Sequence, residues 1–130
     1  TVVFHDLRID TLFIAHVGDS RSVLGRSRED PAGAVAWEAV DLTVDHKPDL
    51  PEEKARIEEA GGQVRFDGCW NHRVYVTGKR YPGLNMSRSL GDLAGFNNAG
   101  ISATPTIQRW ALVNPDSKDP LVQTHDAALG

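Results

Sequence analysis

The sequence predicts an α+β domain with mostly antiparallel pairing, on three observations. Apolar or alternating stretches of strand character follow one another from Thr1 to Leu42 with no helical pattern between them. One segment, Asp49 to Gly62, carries both a helical start and a helical stop. The regular strand–helix alternation that marks a parallel sheet is missing.

Taken in order, Thr1–Leu7 is rich in Val and Phe and reads as a strand. Arg8–Asp10 is polar and short enough for a hairpin turn. Leu12–Val17 is apolar at nearly every position, the pattern of a strand covered on both faces. Gly18-Asp19-Ser20 breaks that run as a turn, and Arg21–Gly25 continues as a third strand. Arg26–Gly33 is charged and reads as a surface loop, and Val35–Leu42 as a fourth strand. The helix begins at Pro51, whose fixed φ suits the first turn, with Glu52 and Glu53 at the positive end of the dipole. Ile57 and Ala60 share its apolar face, Glu52 and Arg56 are spaced as a surface ion pair, and Gly61-Gly62 stops it. Gln63–Phe66 and Arg73–Val76 read as short strands, Pro82-Gly83 as a turn, and Asn85–Leu93 as a brief helix. Thr106–Leu112 is a last strong strand before a polar tail. No internal repeat or linker divides the chain, so one domain, or part of one, is expected over 1–130.

Composition removes several classes of function. The 130 residues carry 14 Lys and Arg against 18 Asp and Glu, a net charge of −4, which argues against nucleic acid as a partner. No apolar run approaches the roughly 18 residues of a membrane span, so no membrane partner is expected. Thr1–Asp6 shows no basic-then-apolar leader, and Cys69 is the single cysteine. Both point to an intracellular protein, cytoplasmic or nuclear.

Several residues invite a chemical reading. Asp19 follows directly on an apolar strand, where a rigid scaffold can present a carboxylate to a hard divalent cation; an ordinary turn explains the same residues. Ser20 in Gly-Asp-Ser suggests a serine nucleophile, but the late His125 has its nearest upstream acid, Asp119, six residues away, and that reading is weak. His46 lacks a second His or Cys at metal spacing and reads as a loop clamp. Arg88 and Asp92 are spaced to pair with each other or to hold a short helix. Cys69 has no activating neighbour, and Trp70 reads as a cap over apolar surface in a turn.

The order of further blocks is more specific than any one of them. Val17-Gly18-Asp19-Ser20-Arg21 is followed by Leu42-Thr43-Val44-Asp45-His46-Lys47-Pro48, then by Arg56-Ile57 and Ala60-Gly61-Gly62. Met86-Ser87-Arg88-Ser89-Leu90-Gly91-Asp92 and Ile101-Ser102-Ala103-Thr104-Pro105 come after. This succession, from about Leu12 to Ile107, closely resembles the middle of the protein phosphatase 2C family of metal-dependent protein serine/threonine phosphatases.

The resemblance implies a four-layer α/β/β/α sandwich of antiparallel sheets and helices, with a flap subdomain at about 45–81. It implies Mg²⁺ or Mn²⁺ as cofactor and a metal-activated water that hydrolyses phosphoserine and phosphothreonine in phosphoprotein partners. Asp19 and Asp126 fall at metal-binding positions of the family pattern, and Arg73 at a flap arginine near the substrate. A partner contact is implied for Trp70. No residue here matches the family's general-acid histidine, because the block that carries it, with most metal ligands, is absent. His16 replaces the usual Asn, Ala and Leu stand in the block around Asp126, and Val76–Gly83 is longer than the common connection. The 130 residues alone are therefore expected to be inactive. A non-catalytic module that docks partners through its flap is the alternative.

Overall fold

The computed structural model describes residues 1–29, 31–112 and 122–124. They fall into two compact units, one formed by Thr1–His16, Arg21–Val44 and the chain from Thr106, the other by Val17–Ser20 with Asp45–Pro105.

In the first unit β1 (Val2–Asp6), β2 (Thr11–His16), β8 (Thr106–Ala111) and β9 (Val122–Thr124) form an antiparallel sheet in the order β1-β2-β8-β9. Burial along β2 alternates: Leu12, Ile14 and His16 are buried, while Phe13 and Ala15 are half-buried. One face is packed fully, so the continuous apolar run overstated the cover on the other. The core here joins Leu12, Ile14 and Leu42, with Leu24, Val40, Trp110 and Leu112 against it.

β3 (Val23–Glu29) and β4 (Val35–Asp41) form a separate antiparallel ladder. The strand starts later than the sequence predicted and runs through the first half of the segment expected as a loop. The reason is cross-strand charge pairing. Arg26 stands directly opposite Glu38, with NH2 to Oε2 at 2.9 Å, and Arg28 Nε reaches the same oxygen at 2.9 Å. Opposed charges of this kind support a ladder that an uncharged-strand pattern cannot reveal.

The second unit holds α1 (Pro51–Glu59), α2 (Leu93–Ala99) and a three-stranded sheet of β5 (Gly62–Phe66), β6 (His72–Val76) and β7 (Pro82–Leu84). Ile57, Val74, Ala99 and Ile101 are its buried centre, with Val64, Val76 and Leu84 packed around them. Gly62 permits this closeness: a Cβ there would run into the Ala99 carbonyl and stand 2.8 Å from Ile57 Cγ2.

Two expectations fail in this unit. Pro82-Gly83 is not merely a turn but part of the edge strand β7, a position where the missing proline N–H costs no ladder bond. The second helix begins at Leu93, where the Asn85–Leu93 reading would have ended it. The Asn85–Ser89 backbone is committed elsewhere: Ser87 N donates to His46 O at 2.9 Å and Ser89 N to Ser102 O at 3.0 Å. Such bonds cannot coexist with a helical i→i−4 ladder. Gly91, at φ 79°, turns the chain, and the Asp92 carboxylate then caps α2 by accepting from Gly95 N at 3.2 Å. Asp92 thus holds the short helix rather than pairing with Arg88.

Candidate functional site

The Gly18–Asp19 turn leaves β2 in a conformation only glycine takes easily. Gly18 has φ 94°, and a Cβ there would stand 3.2 Å from the Arg88 carbonyl oxygen. His46 clamps the turn from both sides. Its backbone N–H donates to Gly18 O at 2.9 Å, and its ring Nδ1 accepts from Gly18 N at 3.1 Å. An accepting Nδ1 carries no proton, so this buried imidazole is neutral with its hydrogen on Nε2. The loop-clamp reading of His46 is what the geometry displays. In the other unit, His16 sends Nε2 to the Val44 carbonyl at 2.8 Å, and a carbonyl can only accept, so Nε2 bears that proton.

Asp19 is half-buried, and its Oδ2 lies 2.5 Å from Lys47 Nζ in the same Asp45–Pro48 block that supplies His46. Among the described residues, no three His, Cys, Asp or Glu side chains gather in a way that could hold a metal ion. One carboxylate already bridged to an ammonium does not fit a centre of two hard cations, each of which needs several oxygen ligands. Asp126, the other expected ligand, lies outside the described residues.

Behind this turn is a charge network the sequence only hinted at. Glu53, on α1, is 2% exposed and takes Arg88 Nε at 3.0 Å and Arg88 NH2 at 2.5 Å on its two oxygens. Arg56 NH2 adds a third bond at 2.8 Å and also reaches Ser87 O at 3.1 Å, and Arg56 NH1 bonds Gly100 O. Arg56 therefore pairs one turn back with Glu53, not with Glu52. Burial pushes the Glu53 carboxyl up, but the bonds from Arg88 and Arg56 outweigh it and bring the pKa to about 2. Residue 53 sits four before Ile57 on the apolar face, and that spacing was the available sign that this glutamate points inward.

Arg73 lies on β6, where Nε donates to Asp67 Oδ2 at 3.1 Å and NH1 to Gly83 O at 2.9 Å. It braces the β5–β6 turn while remaining partly exposed. Asp67 also accepts from the amides of Cys69, Trp70 and Asn71 at 3.0 to 3.1 Å. Those amides, chiefly Cys69 and Asn71, hold its carboxyl well below the usual carboxylate range. The turn displays Cys69 as an exposed thiol and Trp70 at 90% exposure, so Trp70 covers no apolar surface.

The protein phosphatase 2C profile matches residues 1–120. "Probable protein phosphatase 2C 48" of Oryza sativa subsp. japonica is 43% identical over 102 residues, covering 77% of this chain and 29% of its own. "Protein phosphatase 2C 1" of Paramecium tetraurelia is 46% identical over 114 residues, covering 82% and 31%. Among solved structures, the serine-threonine phosphatase 2C from Toxoplasma gondii aligns with a TM-score of 0.59 at 26% identity, over 87% of this chain and 36% of that one. The chain thus spans less than a third of these two curated relatives. On the profile match and these identities, the chain belongs to the protein phosphatase 2C family.

Proposed function

We propose that the whole protein carrying this sequence is a Mg²⁺- or Mn²⁺-dependent phosphatase that removes phosphate from serine and threonine in phosphoproteins. The observation that carries the reading is the Gly18–Asp19 turn, clamped by His46 of the second motif block inside a chain whose family profile runs from 1 to 120. In this reading residues 45–81 are the flap, and Asp19 and Asp126 are the chain's contributions to a cation centre that other carboxylates must complete. Arg73 faces the incoming phosphoprotein. The location is cytoplasmic or nuclear, and no helix among the described residues is long and apolar enough to cross a membrane.

The Asp19–Lys47 pair favours one second reading, a non-catalytic module, since an ammonium at 2.5 Å already neutralises the carboxylate. One assay separates the two: release of phosphate from a phosphothreonine peptide by the whole protein, with Mn²⁺ and then with chelator. Turnover lost on chelation supports the enzyme; none at any Mn²⁺ concentration supports the module. Residues 1–130 alone are expected to be inactive in the same assay. Asp19→Ala in the whole protein should cut turnover at least about tenfold, or ~1.4 kcal/mol in the barrier. If Asp19→Ala leaves turnover unchanged across the Mn²⁺ series, Asp19 is a turn residue.

A further inference from the structure

The outer face of the β5–β6–β7 sheet has a charge pattern that the fold does not need. Val64, Val74 and Val76 turn inward to the core, which leaves Arg65 and Arg73 directly opposite each other on the outer face. Like charges in register oppose sheet formation. The nearby carboxylate, Asp67, relieves Arg73 alone, since its oxygens are taken by Arg73 Nε and three backbone amides. Arg65 instead sits over the Tyr75 ring, its Cζ 3.8 Å from the ring centre, with NH2 donating to the Lys79 carbonyl at 3.0 Å. These contacts fix the guanidinium plane without neutralising it.

Beside it opens a groove of about 440 Å³, lined by Arg65, Phe66, Asp67, Tyr75 and Arg80. The lining thus joins two guanidinium groups to two aromatic rings in a chain whose net charge is −4, and its one carboxylate, Asp67, is already engaged by Arg73 and three amides. We infer that this groove docks an Asp- and Glu-rich segment of a protein partner, with carboxylates on Arg65 and Arg80 and an apolar side chain against Phe66 and Tyr75. A guanidinium already held over a ring and by a carbonyl can take a carboxylate at little entropic cost. The face requires no catalysis, so it stands or falls separately from the phosphatase reading.

The probe is a short fluorescein-labelled peptide of Glu and Asp with one central Phe, followed by anisotropy in chelator at low ionic strength. The protein should bind it saturably and lose affinity as salt rises. The double variant Arg65→Gln/Arg80→Gln should weaken binding about tenfold, equivalent to ~1.4 kcal/mol, while Lys54→Gln on α1 leaves it unchanged. Melting curves run alongside. Should the double variant melt early, Arg80→Gln alone decides, because Arg80 is exposed in a loop; it should weaken binding about threefold, ~0.65 kcal/mol. No binding by the wild-type protein overturns the inference, as do affinities untouched by these variants. Displacement by an equal concentration of inorganic phosphate also overturns it, since the groove would then be a simple anion hole.

Discussion

Glu53→Gln isolates the charge of the buried network while keeping its shape. The folded carboxyl has a pKa of about 2 against an ordinary value of 4.5. Folding therefore favours the ionised form by about 2.5 pK units, or about 3 kcal/mol. The pKa is depressed in the folded state, so this stabilisation is complete above pH 4.5 and is lost as pH falls towards 2. Gln resembles the protonated acid and lacks the contribution at every pH. The variant should therefore be less stable by about 3 kcal/mol at pH 7, roughly 10 °C in melting temperature for a chain of 130 residues. At pH 3 the gap should shrink to about 1 kcal/mol, because wild type has by then lost most of the advantage. Urea unfolding of both proteins at pH 7, 5, 4 and 3 measures this directly. A gap of the same size at pH 7 and pH 3 would refute the reasoning, since it would trace the loss to shape or packing instead of charge. A gap below ~0.5 kcal/mol at pH 7 would mean that Arg88 and Arg56 are equally content in water.

Two further outcomes test the packing and the β5–β6 turn. Gly62→Ala should destabilise by at least ~2 kcal/mol, because the new methyl meets the Ala99 carbonyl and Ile57 Cγ2, both in packed positions; thermal melts check it, and a change under ~0.5 kcal/mol would show that the α2 end can yield. Trp70→Ala should stay within ~0.5 kcal/mol of wild type, as expected for a ring 90% exposed. A larger loss in the same melts would mean that the indole packs in solution.

The elements with strong periodicity were legible in the sequence. The β1–β2 hairpin, α1 between Pro51 and Gly61, and β8 lie within a residue or two of their expected places. What the sequence misplaced depended on distant partners. β3 extends through Arg26 and Arg28 because Glu38 stands across from them, and periodicity within one strand cannot report that. Ser87-Arg88-Ser89 falls inside the segment that reads as a helix, but the amides of Ser87 and Ser89 are claimed by the carbonyls of His46 and Ser102, outside that segment. Arg88 and Asp92 read as pairing or as holding a short helix; Asp92 does the second, while the partner of Arg88 is Glu53, 35 residues back. At the candidate site the turn at Gly18 and the clamp by His46 were readable from residue types. The Asp19–Lys47 pair was not, because nothing in the spacing of an aspartate and a lysine 28 residues apart marks them as neighbours.

These misreadings share a cause that bears on what the motif blocks encode. Gly18, His46, Arg56, Gly62 and the Ser87-Arg88 pair fall in separate blocks, with Glu53 between two of them, yet hydrogen bonds or close approaches connect them within one unit. Gly18 takes a φ of 94° that disfavours a Cβ, and a Cβ there would also press on the Arg88 carbonyl oxygen at 3.2 Å. The Arg88 segment is held there by Glu53 and by the His46 carbonyl, and His46 in turn bonds both polar groups of Gly18. A chain of contacts of this kind fixes where the Asp19 carboxylate is presented, although none of these side chains need touch a substrate. Buried charge pairs contribute little net stability over apolar packing, while breaking one leaves a costly orphan. A network like Glu53–Arg88–Arg56 therefore penalises any shift of the strap that carries Ser87 more than it strengthens the fold. The order and spacing of the blocks thus record a scaffold that positions one turn.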